Sequence, residues 1–277
     1  MPESKADGGG IPTVNVPFSL PVGPGYLHAS AQLPAGSTTM TELLPVIRNL
    51  ESAITQKVSE EAQAAGCPIS CRAGCAHCCR HLVPLSVFEA EALARWLLSL
   101  PEKVRADLEG RFQRALTALS DAGVLQKLVD LQTNPKLDSD LEVGLEYHRA
   151  YVACPFLENE NCGIYSIRPL ACREYMVTSP PELCRDPAAN DLLGVILPLR
   201  LSHVLFSFGR RLARDPRGYI PLVFLFAWAR SGAKPGDLVA GTGEEVLKRF
   251  LDEVTTVAES QKTRTAENGA APPDRPS

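Results

Sequence analysis

Nothing constrains this chain more than the stretch Cys67-Pro-Ile-Ser-Cys71-Arg-Ala-Gly-Cys75-Ala-His-Cys78-Cys79, which holds five of the nine cysteines in thirteen residues. The other four follow as Cys154, Cys162, Cys172 and Cys184, with Arg168, Pro169 and Arg173 set among them. A buried thiol packs as a small hydrophobe, so one or two need no ligand. Nine in two clusters point to binding. Thiolates are soft ligands that select zinc, copper(I) or iron–sulfur clusters over magnesium and calcium. The expected cofactor is an iron–sulfur cluster or zinc.

The compartment argues the same way. The chain opens Met-Pro-Glu-Ser-Lys-Ala-Asp-Gly-Gly-Gly, with no basic segment followed by an apolar run. The expected localisation is therefore cytoplasmic, where thiols stay reduced and structural disulfides are rare. An odd cysteine count also suits a disulfide framework poorly. A net charge of -4 leaves no basic field for nucleic acid. The most apolar late segment, residues 219–229, is broken by Pro221 and falls short of the roughly 20 residues a bilayer span needs. The expected partner is a metal ion or cluster, without nucleic acid or membrane; no protein partner is legible.

Local signals predict a mainly α fold, a compact helical domain built around a cysteine-ligated metal site. Residues 1–38, rich in Gly, Pro and Ser, read as a disordered or extended arm; Pro17 and Pro21 argue against a central strand. The helical domain covers 39–258, and 259–277 reads as a disordered tail. Thr39 and Glu42 have capping-box spacing, and Leu43, Leu44, Ile47, Leu50, Ile54 and Val58 recur at helical intervals until Gly66. Ser86 and Glu89 form a second box, opening a helix to about Leu100. Pro101 opens the next helix, which ends at Gly123. Further helices are expected over 124–131, 141–151, 201–212 and 244–257. Two more are expected from an Asn190 or Asp191 cap through Leu197, and from near Pro221 to Ala229. A loop is expected over 133–140 and a turn over 215–218. Few strand signals appear.

Within the first cluster Pro68 and Gly74 oppose a continuous helix. A knuckle-like turn with Cys75-x2-Cys78 as the chelating pair, running into a short helix, is the better expectation. Gly74 lets backbone amides approach sulfur. Side chains of adjacent Cys78 and Cys79 diverge, so one ligates while the other faces a second metal or the core. Four ligands saturate either a tetrahedral zinc or a cubane cluster, so nine sulfurs fill one site with spares or two sites. Four thiolates leave either centre near −2, which Arg168 and Arg173 can compensate from outside the ligand set. Tyr165 and Tyr175 read as walls against water. His77 reads as outside the ligand set, and His81, His148 and His203 as plain core or surface residues. No phosphate loop, nucleophile elbow or His-Glu-x-x-His motif is present.

The ordered combination Cys75-x2-Cys78-Cys79, Cys154-Pro-Phe-Leu, then Cys162-x-Ile-Tyr-x2-Arg-Pro-x2-Cys172-Arg-x-Tyr resembles the YkgJ-type cysteine-cluster family, a zinc- or iron-chelating domain. The resemblance spans about residues 67–184. The family pattern is Cys-x2-Cys-x2-Cys-Cys, whereas here an extra residue separates Cys71 from Cys75. The resemblance implies metal ligation by Cys71, Cys75, Cys78, Cys79, Cys154, Cys162 and Cys172, with Cys67 and Cys184 at its margins. Related cysteine-cluster proteins include flagellin lysine methylases with an iron–sulfur centre. The expected function is metal binding with a structural or metal-handling role. The alternative is an iron–sulfur enzyme, a protein-modifying lysine methylase-like or redox protein, for which no catalytic residue is legible.

Overall fold

The Thr39–Glu42 capping box opens the first helix as its spacing predicts. In a computed structural model of the protein, which describes residues 12–23, 25–134, 140–187, 189–212 and 217–267, the Thr39 hydroxyl accepts the Glu42 N–H. The Glu42 carboxylate accepts the Thr39 N–H at 2.8 Å in return. Helix α1 (Met40–Ala64) follows. Gly66 stops it at φ +76°. The Gly66 and Cys67 amides then bond back to the Gln63 and Ala62 carbonyls, a Schellman turn that hands the chain to the first cysteines.

Helices α2 (Val87–Ser99), α3 (Glu102–Asp121), α4 (Leu125–Thr133) and α5 (Asp140–Arg149) lie between the two cysteine clusters. Helix α6 (Leu170–Glu174) lies within the second cluster. Beyond it come α7 (Leu201–Leu212), α8 (Leu225–Arg230) and α9 (Gly243–Glu267). The fold is mainly α-helical. One core buries Met40 and Leu44 of α1, Phe88 of α2, Leu205 and Phe208 of α7 and Phe250 of α9. A second joins α2 to α3 and the later cysteines through Leu93, Phe112, Phe156 and Ile164, with Cys154 and Cys162 packed against it. A third seals α3, α4 and α5 around Leu119, Leu128 and Tyr147. Each such Phe or Leu contributes about 1.5–3 kcal/mol by leaving water.

Four two-stranded antiparallel pairs complete the described fold, more strand than the sequence signals. They are β1 (Thr13–Val22) with β2 (Gly25–Pro34), β3 (Ser37–Thr39) with β8 (Ala240–Thr242), β4 (Pro84–Ser86) with β7 (Tyr219–Pro221), and β5 (Leu157–Glu158) with β6 (Asn161–Cys162). The β1–β2 hairpin occupies the described part of the expected N-terminal arm. Its register puts Val16 opposite Ala31 and Leu20 opposite Leu27, giving one apolar face that packs on α9. Leu20 and Leu33 are fully buried. Pro17 and Pro21 fit because both strands of a two-stranded sheet are edges.

Three local expectations need correction. Residues 191–197 form no helix. Val177 bridges Gly194, and the Thr178 and Val195 amides bond to the Leu193 and Met176 carbonyls. Asn190 spends its side-chain amide on the Leu183 carbonyl instead of capping. The expected helix from near Pro221 is strand β7, then a 3-10 turn (Leu222–Phe224), and α8 only from Leu225. Pairing of β7 with β4 holds its first residues extended. Helix α9 continues to Glu267, past the expected tail boundary at 259, because no Gly or Pro interrupts 259–267. The first half of the turn expected at 215–218 and most of the loop at 133–140 lie outside the described residues; Gly218, in the described half, takes φ +74°. No described helix is long and apolar enough to cross a membrane.

Candidate metal centre

The first cluster is folded by bonds to the second. The Ser70 N–H donates to the Val177 carbonyl at 2.9 Å and its hydroxyl to the Ser179 carbonyl at 2.5 Å. The chain then reverses between Arg72 and Cys75, whose N–H bonds to the Arg72 carbonyl at 3.0 Å. Gly74 takes φ +82° in this reversal. A Cβ there would meet nothing closer than Asn161 Oδ1 at 3.9 Å, so the backbone angle, not crowding, calls for glycine. A 3-10 helix (His77–Arg80) then carries Cys78 and Cys79, close to the expected turn and short helix.

The second cluster docks directly on this helix. The Cys154 N–H donates to the Cys79 carbonyl at 2.7 Å. Leu157 donates to the Cys154 carbonyl, and the β5–β6 hairpin sets Cys162 opposite Leu157. Its turn residues Asn159 and Glu160 are both left-handed, as a two-residue type I′ hairpin requires. The Glu160 carboxylate accepts from Arg80 at 3.0 Å. Arg80 also lies over the ring of Tyr151, itself at φ +53°. Cys172 rides on α6, whose Leu170 N–H is held by Glu89 Oε1 at 2.7 Å. Cys184 rides on a 3-10 helix (Pro181–Arg185) packed against the one bearing Cys78 and Cys79.

All nine thiols are free. Cys78 sits centrally among them. Its hydrogen bond with Cys79 and then burial push its thiol far up, and Arg168 opposes this. Burial pushes Cys154 up to about 12, against a hydrogen bond from the Phe156 amide, with Cys162 and Cys78 adding repulsion. Burial raises Cys172 well above the ordinary range, and Cys154, Cys78 and Cys162 raise it further. Cys71 is raised by burial, Cys78 and Cys75, against a 3.4 Å bond from the Val177 N–H to its Sγ. Burial, then Cys71, Cys78 and Cys75, push Cys184 up to about 11. Cys71, Cys75, Cys78, Cys154, Cys162 and Cys172 thus share one neighbourhood, Cys184 joins them, and Cys79 adjoins Cys78. Cys67 is exposed in the turn closing α1.

Without a cation the raised thiols of Cys71, Cys78, Cys154, Cys172 and Cys184 keep their protons at neutral pH, and protonated thiols gain nothing by converging. Among the described residues no three His, Cys, Asp or Glu side chains stand together in a metal-holding group. The donor set nonetheless fits a soft metal: free thiols drawn together by the fold, with a cation beside them. Arg168 draws down Cys71, Cys78 and Cys172. Its guanidinium lies 4.4 Å over the Tyr165 ring, and its buried Nε has no hydrogen-bond partner. A buried orphan donor beside thiols suits a centre that becomes anionic when its ligands ionise. Arg173 faces elsewhere. It donates to the Ser166 and Arg168 carbonyls and lies 3.7 Å from Glu51, bracing α6 against α1.

Two histidines that sequence reasoning set aside lie behind the thiols. The His81 and His148 rings meet edge-on at 4.6 Å, and His81 meets Tyr175 at 5.1 Å. His148 Nε2 bonds the Arg185 carbonyl at 2.9 Å, and His81 bonds the Cys184 carbonyl. Burial and His148 lower the His81 pKa to about 4, keeping it neutral. The pair anchors the helix that bears Cys184. Neither histidine carried a sequence signal, because its partner is a carbonyl far away in the chain and adjacent only in the fold. His77 lies near Glu160, whose carboxyl it helps Arg80 to hold low.

The helical fold thus brings two runs of free cysteines beside one arginine, a thiol-rich site. Residues 70–189 match the family model described as "CxxCxxCC: Putative zinc- or iron-chelating domain". The matched stretch includes Cys184 but not Cys67. No curated protein matches the chain, and no solved structure does.

Proposed function

We propose that the chain binds an iron–sulfur cluster or zinc through Cys71, Cys75, Cys78, Cys79, Cys154, Cys162 and Cys172, in a structural or metal-handling role. The observation that carries this reading is the direct bond between the clusters, Cys154 N–H to Cys79 carbonyl, with Arg168 facing thiols of both. Ligands from 71–79, the β5–β6 hairpin and α6 would bind these elements together, and a site completed only in the folded chain adds its binding free energy to stability. Arg168 would offset the thiolate charge, with Tyr165 as its platform. Arg173 would act one step back, fixing the loop that carries Arg168.

Protein purified without oxygen tests this by its absorption spectrum, metal content and sulfide content. A broad band near 400 nm (roughly where thiolate-to-iron charge transfer falls) with iron and sulfide marks a cluster. A colourless protein with stoichiometric zinc marks a structural or metal-handling site, and the enzymatic alternative loses its support. Cys78→Ser should lower metal content and loosen the fold, whereas Cys67→Ser should matter less. Protein that holds neither metal after supplementation sinks the reading.

A further inference from the structure

The acidic turn Glu158-Asn159-Glu160 supplies no thiol, yet the fold ties it to the first cysteine cluster. We propose that Arg80 is a positioning residue for the thiol site. Through Glu160 it latches the 3-10 helix bearing Cys78 and Cys79 to the hairpin bearing Cys162, and opening of this latch governs access to the thiols and exchange of their metal. The exchange part rests on the metal-binding reading above and deepens it.

Arg80 directly follows Cys79, and Glu160 stands two residues before Cys162. The Arg80 guanidinium donates to both carboxylate oxygens, Nη2 to Oε1 at 3.0 Å and Nη1 to Oε2 at 3.4 Å. An exposed ion pair ordinarily contributes little, because water screens it and ordering two long side chains costs entropy. Here the arginine is already ordered. Its side chain is only 14% exposed. Nη1 also donates to the Ala76 carbonyl at 2.9 Å, and the guanidinium lies 5.0 Å over the Tyr151 ring. A planar fork held in this way meets a carboxylate with little further loss of freedom.

The hairpin is fixed too, because Arg111 of α3 donates to Glu158 at 2.6 Å. Backbone strain gathers at the same contact. Among the described residues, the non-glycine residues with left-handed backbone are Tyr151, Asn159 and Glu160, at φ +53°, +49° and +58°. Two of these three are partners of Arg80. Such conformations persist where surrounding contacts over-determine them. Glycine suits the second position of a type I′ turn best, so the strain of a glutamate there is offset by what its carboxylate binds. The Cys154 N–H to Cys79 carbonyl bond is the backbone half of this junction, and Arg80 supplies the side-chain half.

The test uses the full chain purified without oxygen. Alkylation by iodoacetamide is followed at each cysteine by peptide mass spectrometry, at low and high salt, with exposed Cys67 as the internal reference. At low salt Glu160→Gln should speed alkylation of Cys79 and Cys162 about threefold, with Cys67 and the cooperativity of thermal unfolding unchanged. Arg80→Met, which also frees the Ala76 carbonyl, should speed it roughly tenfold, and adding Glu160→Gln to it should change nothing more. Salt should bring the wild type towards Glu160→Gln and leave that variant unmoved, a response that general loosening does not give. After zinc supplementation, release to a chromogenic chelator should follow the same order. Wild-type alkylation rates in Glu160→Gln, or effects of the two substitutions that multiply, overturn the latch whether or not metal is bound. Altered alkylation with unaltered zinc release overturns its control of exchange. A wild type that binds no metal overturns the metal-binding reading, and the alkylation rates still decide the latch.

Discussion

Single residues behind the thiols carry free energies that pH should reveal. Glu174, two positions after Cys172, is buried against Ser202, whose N–H donates to Oε1 at 2.9 Å and whose hydroxyl donates to Oε2. Burial raises its pKa from 4.5 to about 8, with Glu51 adding and Ser202 opposing. The folded state then binds a proton that the unfolded state has released, so this group's contribution is greatest below the unfolded pKa. It is lost as pH rises from about 4.5 through about 8. Glu174→Gln keeps the acceptor for Ser202 and removes the titration. Urea unfolding should show the variant gaining on the wild type between pH 5 and pH 8; an equal difference at both pH values would refute the assignment. Gly74→Ala probes the reversal between Cys71 and Cys75. With space for the methyl but φ at +82°, the strain is about 1–2 kcal/mol, or roughly tenfold in metal affinity, readable by competitive chelation.

At the scale of elements, one carboxylate joins the helix scaffold to the site. Glu89 completes the capping box of α2 by accepting the Ser86 N–H and hydroxyl, while its other oxygen takes the Leu170 N–H. Removing it leaves buried amides unpaired in two elements at once. Glu89→Ala should cost about 3–5 kcal/mol of stability and lower metal retention, by denaturation and metal analysis. Glu89→Gln, which can still accept from Leu170, should lose less. Equal losses would mean that charge, not the acceptor, matters there. The capping boxes at Thr39 and Ser86 were legible because they are three-residue bonds. The extended run at 191–197 was not, because its partners, Met176 and Thr178, come from a segment that local propensity does not see.

Across the whole molecule the hairpin and the cysteines Cys154 and Cys162 rest on different cores, while Leu170 of α6 belongs to the hairpin's. The β1–β2 face packs with α1, α7 and α9, whereas Cys154 and Cys162 adjoin the core of α2 and α3. Replacing Leu20 and Leu33 by Ala should therefore lower the melting temperature, each costing about 2–5 kcal/mol, with metal content unchanged in the folded protein. Parallel loss of metal would tie the hairpin to the site. Metal uptake itself should release protons, because Cys71, Cys78, Cys154, Cys172 and Cys184 are all raised above the ordinary thiol range. About four protons per tetrahedral centre are expected in weakly buffered solution, and affinity should fall steeply below neutral pH. Release of one proton or none would exclude a thiolate centre.

The sequence alone carried the metal-binding expectation, the helical character and the capped helix starts at Thr39 and Ser86, because thiol chemistry and capping are properties of neighbouring residues. It also brought out Arg168, through its place between Cys162 and Cys172. Only the tertiary structure decided that Arg173 braces α1, that the helix bearing Cys184 packs against the one bearing Cys78 and Cys79, and that two histidines anchor it. Those roles depend on burial and on carbonyls and amides brought from distant segments. Charge and desolvation act through space, and the order of residues along a chain does not record that distance.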